Sequence, residues 1–206
     1  MKLLIASSNP GKLREAKAIL ANTALELLLP ADLNLNLVVD ETGSTYTENA
    51  VLKALAYRRA SNLTSLADDS GLEVDALGGE PGLHSATYAP LENARDADRR
   101  AYLLRRLAGI PHPADEPGWR ARFHCTVVIA ATHGALYYAE GRCDGFIIPE
   151  ERGSGGFGYD ALFFMPEHGQ TMAELSEEVK NLVSHRARAL QSALPILRRL
   201  AEDQAG

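Results

Sequence analysis

Hydrophobic positions along this chain follow two rhythms. Residues 2–6, KLLIA, are mostly one unbroken apolar run, the pattern of a short buried strand. Over residues 12–21 the rhythm turns helical, with Leu13, Ala16, Ile19 and Leu20 recurring at three- and four-residue spacing. A second strand is predicted at residues 25–29, stopped by Pro30. Strand, polar loop, helix, strand is how an α/β fold opens. Thr45, with Glu48 three residues later, reads as a capping box that starts a helix of about three or four turns. Asn49 and Lys53 share one face of that helix.

The stretch SLADDSGLEVDALGGEPG is read as a short strand, a tight polar turn at Asp69-Ser70-Gly71, an alternating segment and a glycine-rich loop. Residues 93–107 predict a charged amphipathic helix, and residues 109–118, GIPHPADEPG, predict a linker. RARFHCTVVIAA and ALYYAEGRCDGFII predict two long strands joined by a hairpin at His133-Gly134. PEERGSGGFGYD is a second glycine-rich loop, and ALFFM a buried strand stopped by Pro166. Thr171 with Glu174 reads as another capping box. A helix follows from Ser184, with Pro195 inside it as the expected kink. There is no internal repeat.

Bulk properties narrow the function. With 206 residues and 46% hydrophobic positions, the chain fits one large domain or two small lobes sharing a sheet. A net charge of −6 and a pI near 5.5 argue against a nucleic-acid or membrane-surface binder. They leave room for a small anionic ligand held by a local cluster of Lys and Arg. The two cysteines, Cys125 and Cys143, sit in strand-like runs and read as reduced core side chains. The apolar start is too short for a secretion signal, so the expectation is a soluble cytoplasmic protein.

Four polar stretches stand where strands or helices should begin. Ser7-Ser8-Asn9-Pro10-Gly11-Lys12 offers hydroxyls, an amide and backbone N–H groups at a helix N-terminus, where an anion is favoured. It is neither a P-loop nor a dinucleotide loop, because Leu13 follows Lys12 and Gly11 stands alone. The plainer reading is a capped turn with Lys12 in solvent. Asp68-Asp69-Ser70-Gly71 holds adjacent acids; alternation sends strand neighbours to opposite faces, so one is expected to act and the other to support it. The plainer reading is a solvated Asp-rich turn. In Gly155–Asp160, Phe157 could stack on a flat ring and Asp160 accept from a ring N–H; otherwise this is an ordinary flexible loop. Lys180, His185 and Arg186 lie close in sequence, and donor-only Lys and Arg would favour a ring carbonyl over an amine. The alternative is a basic helix start on the surface.

The stretches ASSNPGKLRE, ETGSTYTENAVLKA, LADDSGLEVDALGGEPGLHSATYA, GSGGFGYDALFF and TMAELSEEVKNLVSHRARAL run in that order from near the start to about residue 190. Together they resemble the non-canonical purine nucleoside triphosphate pyrophosphatases, also called inosine triphosphatases or XTP/dITP diphosphatases. The resemblance implies an α/β fold: an elongated, mixed, twisted central sheet with helices on both faces and two lobes around a central substrate cleft. It implies that Ser7, Ser8, Asn9, Pro10, Gly11 and Lys12 bind the triphosphate, with Lys12 also catalytic. Asp69 would be the general base and a metal ligand, Glu41 the second acidic ligand with Asp40 as its rival, and Lys53 and Ser70 substrate contacts. Phe157, Gly158, Tyr159 and Asp160 would form the base-binding loop, and Lys180, His185 and Arg186 the remaining base and substrate contacts.

The implied reaction is Mg²⁺-dependent hydrolysis of ITP, dITP or XTP to the monophosphate and pyrophosphate, by a homodimer. Donor-only side chains explain preference for a 6-oxo over a 6-amino purine, but guanine also carries a 6-oxo group. Two departures stand out: Thr87 in SATYA, where the family often has arginine, and His84 where it has Tyr or Phe. The alternatives are a Maf-like pyrophosphatase acting on pyrimidine or modified nucleotides, and a nucleotide-binding protein without catalysis.

Overall fold

A computed structural model of the chain describes residues 1–203. Among these are seven strands and five helices. The strands are β1 (Lys2–Ile5), β2 (Glu26–Leu28), β3 (Thr64–Val74), β4 (Trp119–Ala130), β5 (Leu136–Ile147), β6 (Phe163–Met165) and β7 (Gln170–Thr171). The helices are α1 (Pro10–Leu20), α2 (Tyr46–Ser61), α3 (Asp96–Leu107), α4 (Glu177–Val183) and α5 (His185–Asp203). The strand order is β2-β1-β3-β4-β5-β6-β7. β1 pairs in parallel with β2 and β3, and β6 pairs antiparallel with β5 and β7, so the sheet is mixed and the expected α/β class holds.

The chain divides into two compact units. The first comprises residues 1–69, 125–141 and 184–206; the second comprises residues 70–124 and 142–183. In the first, Leu3, Ile5, Ala16, Leu20, Val127 and Ile129 pack with Ala189, Leu190, Ala193 and Leu197. Fully burying a leucine or isoleucine is worth about 1.5–3 kcal/mol, so this cluster contributes strongly to the unit's stability. Gly141 of β5 is part of that packing. A Cβ there would stand 2.2 Å from the His185 carbonyl oxygen and 2.3 Å from the Ala189 nitrogen, so only glycine lets α5 seat. In the second unit, Leu72, Leu103, Leu107, Phe123, Leu162 and Phe163 form the core. Cys125 and Cys143 are buried and free, as read from the sequence, and burial pushes the Cys125 thiol up. No helix among the described residues is long and apolar enough to cross a membrane.

Three expectations need correction. β3 is one continuous strand of 11 residues, with no turn at Asp69-Ser70-Gly71. Turn-forming composition loses there to partners that neutralise the acids. Residues 109–118 are no boundary between the units, because they lie inside the second. Thr171 and Glu174 do hydrogen-bond, from the Thr171 N–H to Glu174 Oε2 at 2.7 Å. They close a turn after β7, however, and the next helix starts only at Glu177.

Candidate active site

Lys12, Lys53 and Arg186 of the first unit gather on the two aspartates of β3. At the end of β1 the chain enters α1 through Ser7 and Asn9. Asn9 caps the helix: its Oδ1 accepts from the Gly11 N–H at 2.9 Å and the Lys12 N–H at 3.3 Å, and Pro10 occupies the first turn. Ser7 Oγ accepts from the Asn9 N–H at 3.1 Å. The loop is therefore a capped turn, and some of its backbone donors are already used. Ser8, Asn9 and Pro10 remain exposed. Lys12 is not in solvent. Its Nζ lies 3.0 Å from Asp68 Oδ2, with the side chain 15% exposed.

The two aspartates of β3 take different partners, as strand alternation requires. Asp68 is held by Lys12 and by Arg186, whose Nε donates to Asp68 Oδ2 at 3.2 Å. Burial alone would raise the Asp68 carboxyl, but the charges of Lys12, Arg186 and Lys53 outweigh it and hold the group far below the usual carboxylate range. Asp69 faces α2 instead. Lys53 Nζ lies 3.0 Å from Asp69 Oδ1, and Asn49 Nδ2 donates to Asp69 Oδ2 at 3.3 Å. The shared face of Asn49 and Lys53 read from the helix period is thus the face that holds Asp69. Lys53 Nζ also lies 3.3 Å from Glu41 Oε2, while Asp40 is exposed. Burial would lower the Lys53 ammonium, but Asp69, Asp68 and Glu41 outweigh it and raise it, so the lysine stays charged. Asn49 Oδ1 in turn accepts from the Gly43 N–H at 2.8 Å, tying the segment next to Glu41 to the same helix.

Arg186 is held by two carboxylates. Only 2% exposed, it bonds Asp68 through Nε and Glu15 through Nη1. Burial would lower the guanidinium, yet the two carboxylates raise it, so the cluster carries a permanent cation. A side chain so engaged holds Asp68 and Glu15 in place. Glu15 went unnoticed in the sequence. The signal was there: Arg186 falls on the buried stripe that continues through Leu190, Ala193, Leu197 and Leu200 of α5. An arginine on an apolar stripe demands a carboxylate partner. His185 is buried beside it at the start of α5.

The second unit carries the aromatic loop. Asp160 Oδ2 accepts from the Phe157 N–H at 2.8 Å and from Lys180 Nζ at 2.6 Å. The Lys180 ammonium also sits 5.0 Å from the centroid of the Phe157 ring. Lys180 lies in the last turn of α4, so it is not part of a basic helix start. Tyr159 is buried, and its hydroxyl donates to the Ser85 carbonyl at 2.9 Å. Ser70 is half-buried on β3, beside Asp69. Thr87 and His84, the two departures, are exposed, and neither belongs to the Asp160 cluster.

Glu41 and Asp69 converge on one lysine and offer hard oxygen donors. Among the described residues no group of three His, Cys, Asp or Glu side chains could hold a metal by itself. That donor set suits Mg²⁺, which takes one or two carboxylates and completes its shell with water and substrate phosphate. It does not suit zinc, which wants three or four nitrogen or sulfur ligands.

The sequence matches the Ham1 family model over residues 3–196. It is 49% identical to a dITP/XTP pyrophosphatase of Geobacillus kaustophilus over 92% of this chain and 90% of that protein. It is 46% identical to one of Thermus thermophilus, over 94% and 90%. Among solved structures it resembles the Staphylococcus aureus Ham1 protein, with TM-score 0.81 and 38% identity over 96% of this chain and 98% of that one. It also resembles a HAM1 protein from Coxiella burnetii, with TM-score 0.83 and 36% identity over 97% and 99%.

Proposed function

The chain belongs to the Ham1 family, and on that premise we propose that it hydrolyses non-canonical purine nucleoside triphosphates, ITP, dITP and XTP, to the monophosphate and pyrophosphate. The observation that carries this reading is the cluster in which Lys53 bridges Asp69 and Glu41 while Lys12 rests on the neighbouring Asp68. Two lysines within one strand's reach of three carboxylates suit a polyanion and its counter-ion.

Lys12 would meet the phosphate chain. Its Nζ, held against Asp68, can exchange that carboxylate for a phosphate oxygen with little motion, and α1 adds the positive end of its dipole. Asp69 would take the proton from the attacking water at a carboxylate oxygen. Lys53 on Oδ1 and Asn49 on Oδ2 fix the plane of that carboxylate, so its remaining lone pairs point in defined directions. Glu41 and Asp69 would hold Mg²⁺, which when bound supplies charge neutralisation at the phosphates and makes water more acidic. An ordinary aspartate is a weak base at neutral pH, so that acidity is needed.

In the second unit Phe157 offers a ring face for stacking. Lys180, a donor without acceptor capacity, favours a 6-oxo over a 6-amino purine. Its pairing with Asp160 fixes the ammonium position and supports this assignment. Ser7, Ser8 and Gly11, in the turn before Lys12, would complete the phosphate contacts, and Ser70 follows Asp69 along β3. The same reading carries a single catalytic domain over residues 1–206, a homodimer, a cytoplasmic location and a role in clearing deaminated purines from the nucleotide pool.

A substrate panel with Mg²⁺ tests it: ITP, dITP, XTP, GTP, ATP and dTTP, with pyrophosphate and orthophosphate assayed separately. Pyrophosphate from ITP and XTP well above ATP is the expected outcome. Orthophosphate as first product, or a preference for dTTP, would overturn it.

A further inference from the structure

Gly158 is the pivot of the aromatic loop. Its φ is 63°, in the left-handed region that glycine adopts without strain. Both its peptide groups are held by α3. The Gly158 N–H donates to Asp96 Oδ2 at 2.7 Å, and the Gly158 carbonyl accepts from Arg100 Nη1 at 2.9 Å. Asp96 and Arg100 are one helical turn apart, so one face of α3 grips one residue from two sides. The grip is braced. Asp96 Oδ1 pairs with Arg99, whose Nη1 also donates to the Ala86 carbonyl at 3.0 Å and the Ala94 carbonyl at 2.8 Å. Arg100 Nη2 reaches Glu151 Oε2 at 3.0 Å, at the start of the glycine-rich stretch that Gly158 ends. Arg100 is largely buried, with 17% of its side chain exposed, and its Nε has no hydrogen-bond partner. A surface arginine free to choose would not accept that cost.

The bonded groups of Asp96 and Arg100 are taken up by the backbone of the loop, by Arg99 and by Glu151, and the unpaired Arg100 Nε is buried, so neither residue offers a purine an exposed group. Yet Gly158 lies between Phe157 and Tyr159, and the two hydrogen bonds set the plane of both flanking peptides. We infer that Asp96 and Arg100 are positioning residues that fix the Phe157 ring face and the Asp160–Lys180 pair for the purine. α3 therefore sets how well the protein tells a 6-oxo purine from adenine, without touching either. The inference rests on the proposed assignment of the aromatic loop to the base.

The test uses three variants of the full chain: Asp96→Ala, Arg100→Ala and Asp96→Asn, the last retaining an acceptor for the Gly158 N–H. Steady-state kinetics with ITP and ATP would be combined with calorimetric binding of ITP, and with inhibition by inorganic tripolyphosphate, which has no base. A hydrogen bond to a charged group is worth enough that each alanine variant should raise KM and Kd for ITP roughly tenfold or more. kcat should change less, and the ITP-over-ATP preference should shrink. Tripolyphosphate inhibition should stay at the wild-type value, and Asp96→Asn should recover part of the loss. Unchanged ITP affinity and selectivity in folded alanine variants overturns the inference. So does an equal loss for tripolyphosphate, since general damage would do that. If the wild type binds ITP but releases no pyrophosphate, the proposed function falls while the Kd arm still judges α3. If it binds no purine, both fall.

Discussion

The two units hold their functional residues by opposite means. In the first, side chains hold side chains: Lys12, Asp68, Arg186 and Glu15 form one buried chain of alternating charge, and Lys53 links Asp69 to Glu41. In the second, side chains hold main chain: Asp96, Arg100 and Asp160 grip the peptide groups of Phe157 and Gly158. On the proposed assignment of phosphate chain to the first unit and purine to the second, the difference follows from what each would recognise. A phosphate chain needs charge that is mobile by a few tenths of an ångström and already compensated before the ligand arrives, since an uncompensated buried cation is costly. A purine face needs a surface of fixed shape. Charge exchange suits the one, and backbone restraint the other.

The comparison breaks most visibly at Asp69. Asp69→Asn keeps the shape but removes the proton acceptor, and its single amide oxygen can accept from only one of Lys53 and Asn49. Pyrophosphate release from ITP should fall roughly 10²–10⁴-fold, measured in protein shown to be folded, because the Lys53 pair is lost as well. A drop under tenfold would remove Asp69 from the chemistry. Next in size is Arg186→Met, which strands Asp68 and Glu15 without their shared cation. Breaking a buried pair in this way costs about 3–5 kcal/mol, read as a lower urea midpoint. The double variant Arg186→Met with Glu15→Gln should lose less than the sum of the singles if the pair is coupled. Gly141→Ala drives a methyl group into α5 and should cost about 1–3 kcal/mol; an unchanged melting curve would show that α5 can shift.

The smallest effect concerns the second unit. Burial would raise the Asp96 carboxyl, but the Gly158 N–H and Arg99 hold it below its usual value. A carboxyl depressed in the folded state stabilises above the ordinary aspartate pKa near 4 and loses that contribution as pH falls through the lower folded value. The exchange protection of the Gly158 amide should therefore decline in acid below about pH 4. In Asp96→Asn that decline should be absent.

What the sequence made legible is what repeats along it. β1, α1, α2 and the β4–β5 hairpin follow from apolar rhythm and capping residues, and each appears within a few residues of its expected bounds. Asp-Asp-Ser-Gly misled for a physical reason. Its composition is that of a turn, and only Lys12, Lys53 and Arg186, remote in sequence, make the acids affordable inside a strand. The same remoteness hid Glu15 and the grip of α3 on Gly158. Composition announces that a charge exists; the partner that lets it be buried is a matter of topology. The sequence motifs marked Lys180 and Arg186 as a pair, whereas the fold gives Lys180 to Asp160 and Arg186 to Glu15 and Asp68.

The bond from Arg186 to Glu15 spans 171 residues, and that to Asp68 spans 118. Contacts of such separation form late, because the entropy of closing a long loop is lost before the contact can return anything. During synthesis, Lys12, Asp68 and Asp69 leave the ribosome long before α5 does. Until the final helix docks, Asp68 and Glu15 lack their guanidinium and the strand carrying Asp69 lacks its brace. The nascent chain thus holds the acids of a hydrolase without their arrangement, and acquires it only once α5 has been made.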